Sequence, residues 1–499
     1  MNRYVKSPDV ITFQDCVNKN YNLSASLFTK LIMKNTNCLK VSDFLTKKLS
    51  IKDLGSEIGS TSYIDKSTYF FMRTKALQKN SFIPEITSES VLPMKPKDFI
   101  KMNLKKGDLI ISKDSNIGEA AILEKDYPDF MLSGAIYKLP VKEELRYYLF
   151  AMIKHDIFRE QLDSIVPKGA TIRHAKTLFL DCLIPLPNEN KGDVIKYISE
   201  LTQAIIEKET LIKSRHEQIL KKIEEELKNN QKENEFKYSL PTFSEVMETG
   251  RLDTGIYGEY FKETNFLVTN YKYGSKDLLS KGFTYARGSS LEINALKTRI
   301  DSDVLRKGFY ELVIPTNISQ YGFVEKSFYI GTPAKLKEVQ KGDIIFGGEG
   351  FGKGRTYVVI ENTTNVVTNY HGIRIINQNQ NLAESIFVRC FLAYWREKGM
   401  IDCIGVGGSG GHCAPMYFPL IEIPNFPENK QKEIVKLYYN PNVTYNSSNF
   451  TLENFLSNDS IFNQAAGIYE LDKSAKYLKK LLNEAIDNIV NDRKVEFKF

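Results

Sequence analysis

The stretch DVIKYISELTQAIIEKETLIKSRHEQILKKIEEELKNNQKEN, residues 193–234, decides how the rest of the chain is read. No Gly or Pro interrupts it, and the next such residue is Pro241. Apolar residues stand at Val194, Ile198, Leu201, Ile205, Ile212 and Ile219, spaced four, three, four, seven and seven, which is a heptad seam. The later part is rich in Lys and Glu, from Lys221 to Lys228. At about 1.5 Å per residue such a helix is about 60 Å long. One globular core needs no helix that long with so narrow an apolar stripe. The stretch reads as a spacer that divides the chain and seeks a partner helix. Lys208 and Arg215 fall on seam positions, and Ile223 and Leu227 drift towards a 3.6 period. A supercoil over only part of the length is therefore expected.

Composition narrows the class. A chain of 499 residues leaves room for several domains, and 42% hydrophobic with 26% charged residues is ordinary for a folded water-soluble protein. No run of roughly 18 apolar residues is present, and Met1 to Val10 is polar, so neither a membrane span nor a signal peptide is expected. The six cysteines are scattered and none forms a CxxC pair, which points to free thiols in a reducing cytoplasm. No metal site is expected. Cys403, His412 and Cys413 come nearest, without paired ligand spacing. The formal net charge of +7 permits attraction to nucleic-acid phosphates without requiring it.

The chain repeats itself. Lys106-Gly107-Asp108-Leu109-Ile110 recurs as Lys341-Gly342-Asp343-Ile344-Ile345, an offset of 235. Asp43-Phe44-Leu45 answers to Asp277-Leu278-Leu279, His174 to His412, and Ile184-Pro185 to Ile423-Pro424, with offsets of 234, 238 and 239. The slow drift reads as small loop insertions. Arg73-Thr74 is set against Pro315-Thr316, out of line at 242. Tyr69–Met72, Asp108–Ser112 and Leu183–Leu186 read as strands, and Leu145 to Leu162 as one amphipathic helix. The long helix recurs too. It begins at Glu428–Ile434, is interrupted by a polar segment, and resumes with Ile468, Leu471, Ala475, Leu478, Leu482, Ala485 and Ile489, spaced three and four. The order is domain, helix, domain, helix. Two such helices can pair antiparallel and relate the domains by an approximate two-fold.

This pattern resembles the specificity subunit of type I restriction–modification systems. The residues that carry the resemblance are Lys106 to Asp114 with Asn116-Ile117-Gly118, then Gly169-Ala170-Thr171-Ile172-Arg173-His174, the Ile184-Pro185-Leu186-Pro187 lead-in to the helix, and Gly250-Arg251-Leu252-Asp253 opening the second half. The first half has Leu23-Ser24-Ala25-Ser26-Leu27-Phe28 roughly where the Arg-Leu-Asp opening would stand. The resemblance covers nearly the whole chain and implies an α+β fold. Two α/β target-recognition domains (1–190 and 236–426) would be separated by long antiparallel coiled-coil helices (191–235 and 427–499, the latter with an inserted loop at 438–466). It implies double-stranded DNA with a bipartite target as ligand, two methyltransferase subunits docked on the helices, and a restriction motor subunit joining for cleavage. The S-adenosylmethionine would sit on the modification partner. This chain would bind no cofactor and catalyse nothing.

Base contacts need Arg, Lys, Asn, Gln, Ser and Thr on loops. In the first domain the candidates are Arg73, Lys75, Lys113, Ser115, Asn116, Lys168, Thr171 and Arg173. In the second they are Thr316, Asn317, Ser319, Gln320, Tyr321, Lys353, Arg355, Asn369, Tyr370, His371 and Ser409. Lys113, Arg173, Lys353 and Arg355 lie beside repeat-matched glycine loops and are the preferred ones. His174 and His412 are read first as loop-fixing hydrogen bonders. The docking helices are marked by Ile198, Leu201, Ile205, Ile212, Ile219, Leu471, Leu478, Leu482 and Ile489.

Enzyme look-alikes are weaker. Gly347–Gly354 satisfies GxxxxGK, but Gly354 stands where a P-loop needs Ser or Thr, and Glu349 would put negative charge in the phosphate cradle. Gly407–Gly411 satisfies GxSxG, yet no histidine follows His412 to complete a hydrolase triad. The rivals are a fused methyltransferase or nuclease fragment and a coiled-coil interaction protein of a phage-defence assembly. An adenine methylase loop is approached only by Asn440-Pro441-Asn442-Val443, which lacks its second proline and its aromatic residue. The coiled-coil rival leaves the duplicated glycine-looped domains without a purpose.

Overall fold

The computed structural model describes residues 3–18, 21, 23, 28–166, 174–407 and 411–499. Elements run β1 (Val5–Lys6), α1 (Phe13–Asn18), β2 (Lys30–Leu31), β3 (Cys38–Lys40), β4 (Phe70–Met72), β5 (Val91–Pro93), β6 (Leu109–Ser112), β7 (Ala120–Ile122), β8 (Phe130–Leu132), β9 (Ile136–Leu139), α2 (Arg146–Lys154), α3 (Asp156–Ile165), β10 (Leu183–Pro185) and α4 (Lys191–Asn229). They continue with α5 (Phe243–Thr249), α6 (Glu259–Thr269), β11 (Ser275–Asp277), β12 (Phe283–Arg287), α7 (Ile293–Leu296), β13 (Ile300–Ser302), β14 (Tyr310–Leu312), β15 (Phe328–Gly331), β16 (Ile344–Gly347), β17 (Thr356–Val358), β18 (Val366–Val367) and β19 (Gly372–Asn377). The last are α8 (Leu382–Glu397), α9 (Met400–Ile404), β20 (Glu422–Pro424), α10 (Glu428–Tyr438), α11 (Phe455–Ala465) and α12 (Ile468–Val490). Two compact units result. One comprises Met1–Leu211, Thr444–Gln464 and Leu471–Phe499, and the other Ile212–Val443 and Ala465–Glu470.

The duplication holds for the central strands of each sheet, to which the second unit adds β12 and β13 at the edges. In the first unit β4 pairs antiparallel with β5 and parallel with β8; in the second, β14 does the same with β15 and β18. Strand β6 lies antiparallel between β7 and β9, as β16 lies between β17 and β19. Register repeats as well: Leu109 faces Ile122 and Leu139, and Ile344 faces Val358 and Ile375. Ile184 and Pro185 oppose Leu39 and Cys38, as Ile423 and Pro424 oppose Lys276 and Ser275. Both prolines stand in two-stranded ladders, where every strand is an edge and a missing donor is tolerated. The parallel bridge Ser56–Ser133 returns as Ser289–Asn369. Beside each bridge is a glycine, Gly55 or Gly288, where a Cβ would sit 2.2 Å from a carbonyl oxygen of the facing strand. The short turn after β4 begins at Thr74 and the one after β14 at Pro315, so Arg73 corresponds to Ile314, one residue away from the expected match.

The seam of α4 is filled from within the chain. Ile198, Leu201, Ile205, Leu478, Leu482 and Ile489 share one apolar core in the first unit, and Ile212, Ile219 and Leu471 are buried too. In the first unit Asn188 reaches Asp492 at 2.7 Å and Lys479 reaches Glu209 at 2.6 Å, so α12 runs antiparallel to the early part of α4. In the second unit Lys222 meets Glu433 at 2.9 Å and Lys430 meets Glu226 at 3.8 Å, so α10 runs antiparallel to the late part. These seam residues, named in the sequence as marking the docking helices, therefore pack inside the chain. Helix α4 stops at Asn229, short of Asn234. There the Gln231 amide donates to the carbonyls of Leu227 and Leu267 at 2.6 and 2.8 Å, and the chain turns to pair with residues 270–272.

Two expectations are corrected. The Leu145–Leu162 helix is two helices, because His155 is extended and caps α3 by accepting the Ile157 amide proton at 3.2 Å on Nδ1. The segment 438–466 is not a plain loop, since it contains α11. It leaves after Tyr438 and returns at Gly467, where a Cβ would lie 2.6 Å from the Tyr438 carbonyl oxygen. Its residues account for the lysine on the seam. Lys208 is fully buried, donates to Asp459 and Asn463 at 2.7 Å each, and lies 4.9 Å from the ring centres of Tyr445 and Phe462. Burial pushes the Lys208 pKa down and Asp459 opposes it. All six cysteines are free. Among the described residues no helix is long and apolar enough to cross a membrane.

Candidate nucleic-acid interface

In the first unit the turn after β4 and the hairpin loop between β6 and β7 are stitched together. The Asn116 amide donates to the Thr74 and Leu77 carbonyls at 3.3 and 3.2 Å. That contact brings Arg73, Lys75, Lys113, Ser115 and Asn116 to one place. Ser115 is exposed in the left-handed region (φ 59°). Lys113 is largely covered and pairs with Asp114 at 2.6 Å, while Lys75 pairs with Glu89 at 2.9 Å. The loop is backed by Glu119, which takes Arg159 at 2.5 Å and Lys154 at 3.8 Å, tying it to α2 and α3. His174 Nδ1 lies 2.7 Å from Asp114 Oδ1, and the two residues form an antiparallel bridge. Lys168, Thr171 and Arg173 lie outside the described residues, as does Ser409 in the second half.

The second unit builds the same place with different side chains. Arg355 donates to the Thr316 and Ile318 carbonyls at 3.2 and 2.8 Å, joining the β16–β17 loop to the turn after β14. His412 bridges to Glu349, at the offset of 235 from Asp114, and its Nδ1 lies 3.4 Å from the carboxylate. Both histidines thus stand beside the acid that follows the central strand, and His412 Nε2 also lies 2.6 Å from the Arg287 guanidinium. Glu349 also takes His371 at 2.9 Å and Arg287 at 3.5 Å, and Arg287 stacks over Tyr370 at 4.5 Å. Burial alone would raise the Glu349 pKa. The His371 hydrogen bond and the positive charge of His371, His412 and Arg287 outweigh it and hold the carboxyl below its usual range.

The other candidates have diverse positions. Thr316 and His371 are exposed, and Asn369 accepts the Gly372 amide proton at 3.2 Å. Asn317 donates to the Lys326 carbonyl at 3.1 Å, and Gln320 to the Tyr321 hydroxyl at 2.8 Å. Ser319 is buried, and so is Tyr321, edge-on to His216 of α4. Lys353 is mostly covered and pairs with Asp402 at 2.7 Å. Lys353 and Arg355, prominent in the sequence, thus have intrachain work in fixing the loop. Arg287, Phe351 and Tyr370 are the exposed or cationic groups beside them that motif reading left aside or ranked low. The one signal for Arg287 is its place at the end of a strand that pairs with the Ile373 register.

The P-loop look-alike loses its structural context, while the Gly407–Gly411 loop lies partly outside the described residues. Gly347–Gly354 joins two antiparallel strands through a short turn at Gly350–Gly352, with no helix following to receive a phosphate. Arg251 of the Gly250–Asp253 opening is buried, chelates Asp253 and donates to the Cys403 and Ile404 carbonyls, a fastening to α9. Among the described residues no cluster of His, Cys, Asp and Glu could hold a metal ion.

No family model and no curated protein matches the chain. Among solved structures it is similar to the type I restriction–modification system S subunit from M. genitalium, at 12% identity over 92% of this chain and 96% of that one, with a TM-score of 0.41. It is also similar to a chain from a structure of complex assembly and conformational transition in the type I R-M system, at 12% identity over 91% and 98%, with a TM-score of 0.26. A further similarity is to the HsdS subunit from Thermoanaerobacter tengcongensis, at 12% identity over 91% and 97%, with a TM-score of 0.25.

Proposed function

We propose that this chain is the DNA-specificity subunit of a type I restriction–modification complex. It reads a bipartite duplex target with residues 1–190 and 236–426, one half-site each. The outward faces of its long helices dock two methyltransferase subunits. Those partners carry S-adenosylmethionine and transfer the methyl group, and a motor subunit joins for cleavage. The chain itself binds no cofactor, catalyses no step and works in the cytoplasm. The observation that carries the reading is the duplication, in which two loop clusters of equal topology and register are separated in sequence by a 39-residue helix. A duplicated reader on a stiff spacer makes the second binding event intramolecular and fixes the gap between half-sites. Each domain needs only a few base contacts, worth about 1–3 kcal/mol each.

The test is selection of bound duplexes from a random pool by the chain together with its methyltransferase partner. Sequencing of the bound pool is expected to return two short motifs separated by a fixed unread gap. A pool with no split motif overturns the proposal.

A further inference from the structure

Gly350 and Ser115 occupy one position of the repeat. Both have left-handed backbone, φ 64° and 59°, and both follow the acid that pairs with a histidine. The next residue is Asn116 in the first loop and Phe351 in the second. Asn116 is committed, with its amide on the Thr74 and Leu77 carbonyls. In the second loop Arg355 makes the equivalent tie to Thr316 and Ile318. Position 351 is thereby released, and its phenyl ring stands 85% exposed.

The base of this loop is tight. A Cβ on Gly347 would lie 1.8 Å from the Gly352 carbonyl oxygen, and one on Gly352 would lie 2.7 Å from the Pro315 backbone. Gly354 donates to the Gly347 carbonyl at 2.8 Å, and the Gly348 amide donates to the His371 carbonyl at 2.9 Å. A ring on so braced a turn is presented rather than loosely hung. The same loop carries Glu349, paired with Arg287 and His371, and Lys353, paired with Asp402, and a second exposed aromatic, Tyr370, precedes His371. An exposed phenyl on a braced turn suits insertion between stacked bases, whose faces are apolar.

We infer that Phe351 is a wedge that inserts between base pairs of the duplex read by the second unit, unstacking one step and bending the DNA. The corresponding position of the first unit supplies no counterpart, since Asn116 is occupied in holding the loop. The inference rests on the DNA-reading function proposed above.

The experiment compares wild type, F351A and F351L, each in complex with the methyltransferase partner. The probe is the duplex enriched by the wild-type complex from the random pool, labelled at both ends for energy transfer. F351A is expected to bind this duplex roughly tenfold more weakly and to lose most of the end-to-end shortening, while F351L, still an apolar wedge, retains most of both. Equal binding and bending by F351A and wild type overturns the wedge and leaves the specificity function standing. Loss of partner capture by F351A with bending intact assigns the ring to protein docking and also overturns it. A wild-type complex that enriches no motif removes the function and the wedge together.

Discussion

Lys208 shows how a single side chain can require a whole segment. A charged residue on a heptad seam is costly unless it is paired, and a buried ammonium costs several kcal/mol without a partner. Here the insertion supplies Asp459, Asn463 and two aromatic rings. Asp459→Ala strands the ammonium and is expected to destabilise the first unit by about 3 kcal/mol. Adding Lys208→Met removes the stranded charge and should recover more than half of that loss. Denaturant titrations of the two variants check this. A double variant no more stable than D459A would show that the pair contributes through something other than charge burial.

At the scale of elements, α4 was legible because a 3.5-residue period persists through 26 residues from Val194 to Ile219. The buried Ile223 and Leu227 continue the stripe beyond it. What hid from sequence reading was short or carried by unusual residues. The strands of the two units are two to six residues long, too short for alternation to declare itself. His155 divides α2 from α3 through its ring nitrogen, and histidine is not among the habitual caps. Helix α11 lies in a segment whose polar residues read as a loop, while Phe455 and Phe462 face inward. Within the candidate interface, the glycine loops and their repeat partners were legible. Which side chains face out was not, because Asn116 and Arg355 look like base readers and serve as stitches.

The late part of α4 also has a testable pH response. His216 is buried edge-on to Tyr321, and its Nδ1 has no hydrogen-bond partner. Burial first, then the charges of Arg389 and Arg396, push its pKa down to about 3. A base whose folded pKa lies below its unfolded value of about 6.5 binds its proton more readily when unfolded. Its neutral form supports the fold above that value, and stability falls by up to about 1.4 kcal/mol per pH unit as pH drops from about 6.5 towards 3. Going from pH 7 to pH 5, wild type should lose about 2 kcal/mol more than His216→Leu. Urea titrations at the two pH values check it, and equal losses would mean that His216 takes up its proton as readily in the fold as in the unfolded chain.

At the scale of the molecule, equal registers in two halves of one chain describe one frame used twice. Asp114 with His174 and Glu349 with His412 occupy corresponding places, yet the surrounding side chains differ: Lys113 is answered by Gly348 and Asn116 by Phe351. A shared frame with different loop residues is what two independent readers of different half-sites require. The most direct measurement replaces residues 1–190 with the corresponding domain of a related protein and sequences the duplexes selected by the resulting complex. Independent reading predicts that one half of the motif changes, while the other half and the gap stay as they were. Change in both halves, or in neither, would contradict it.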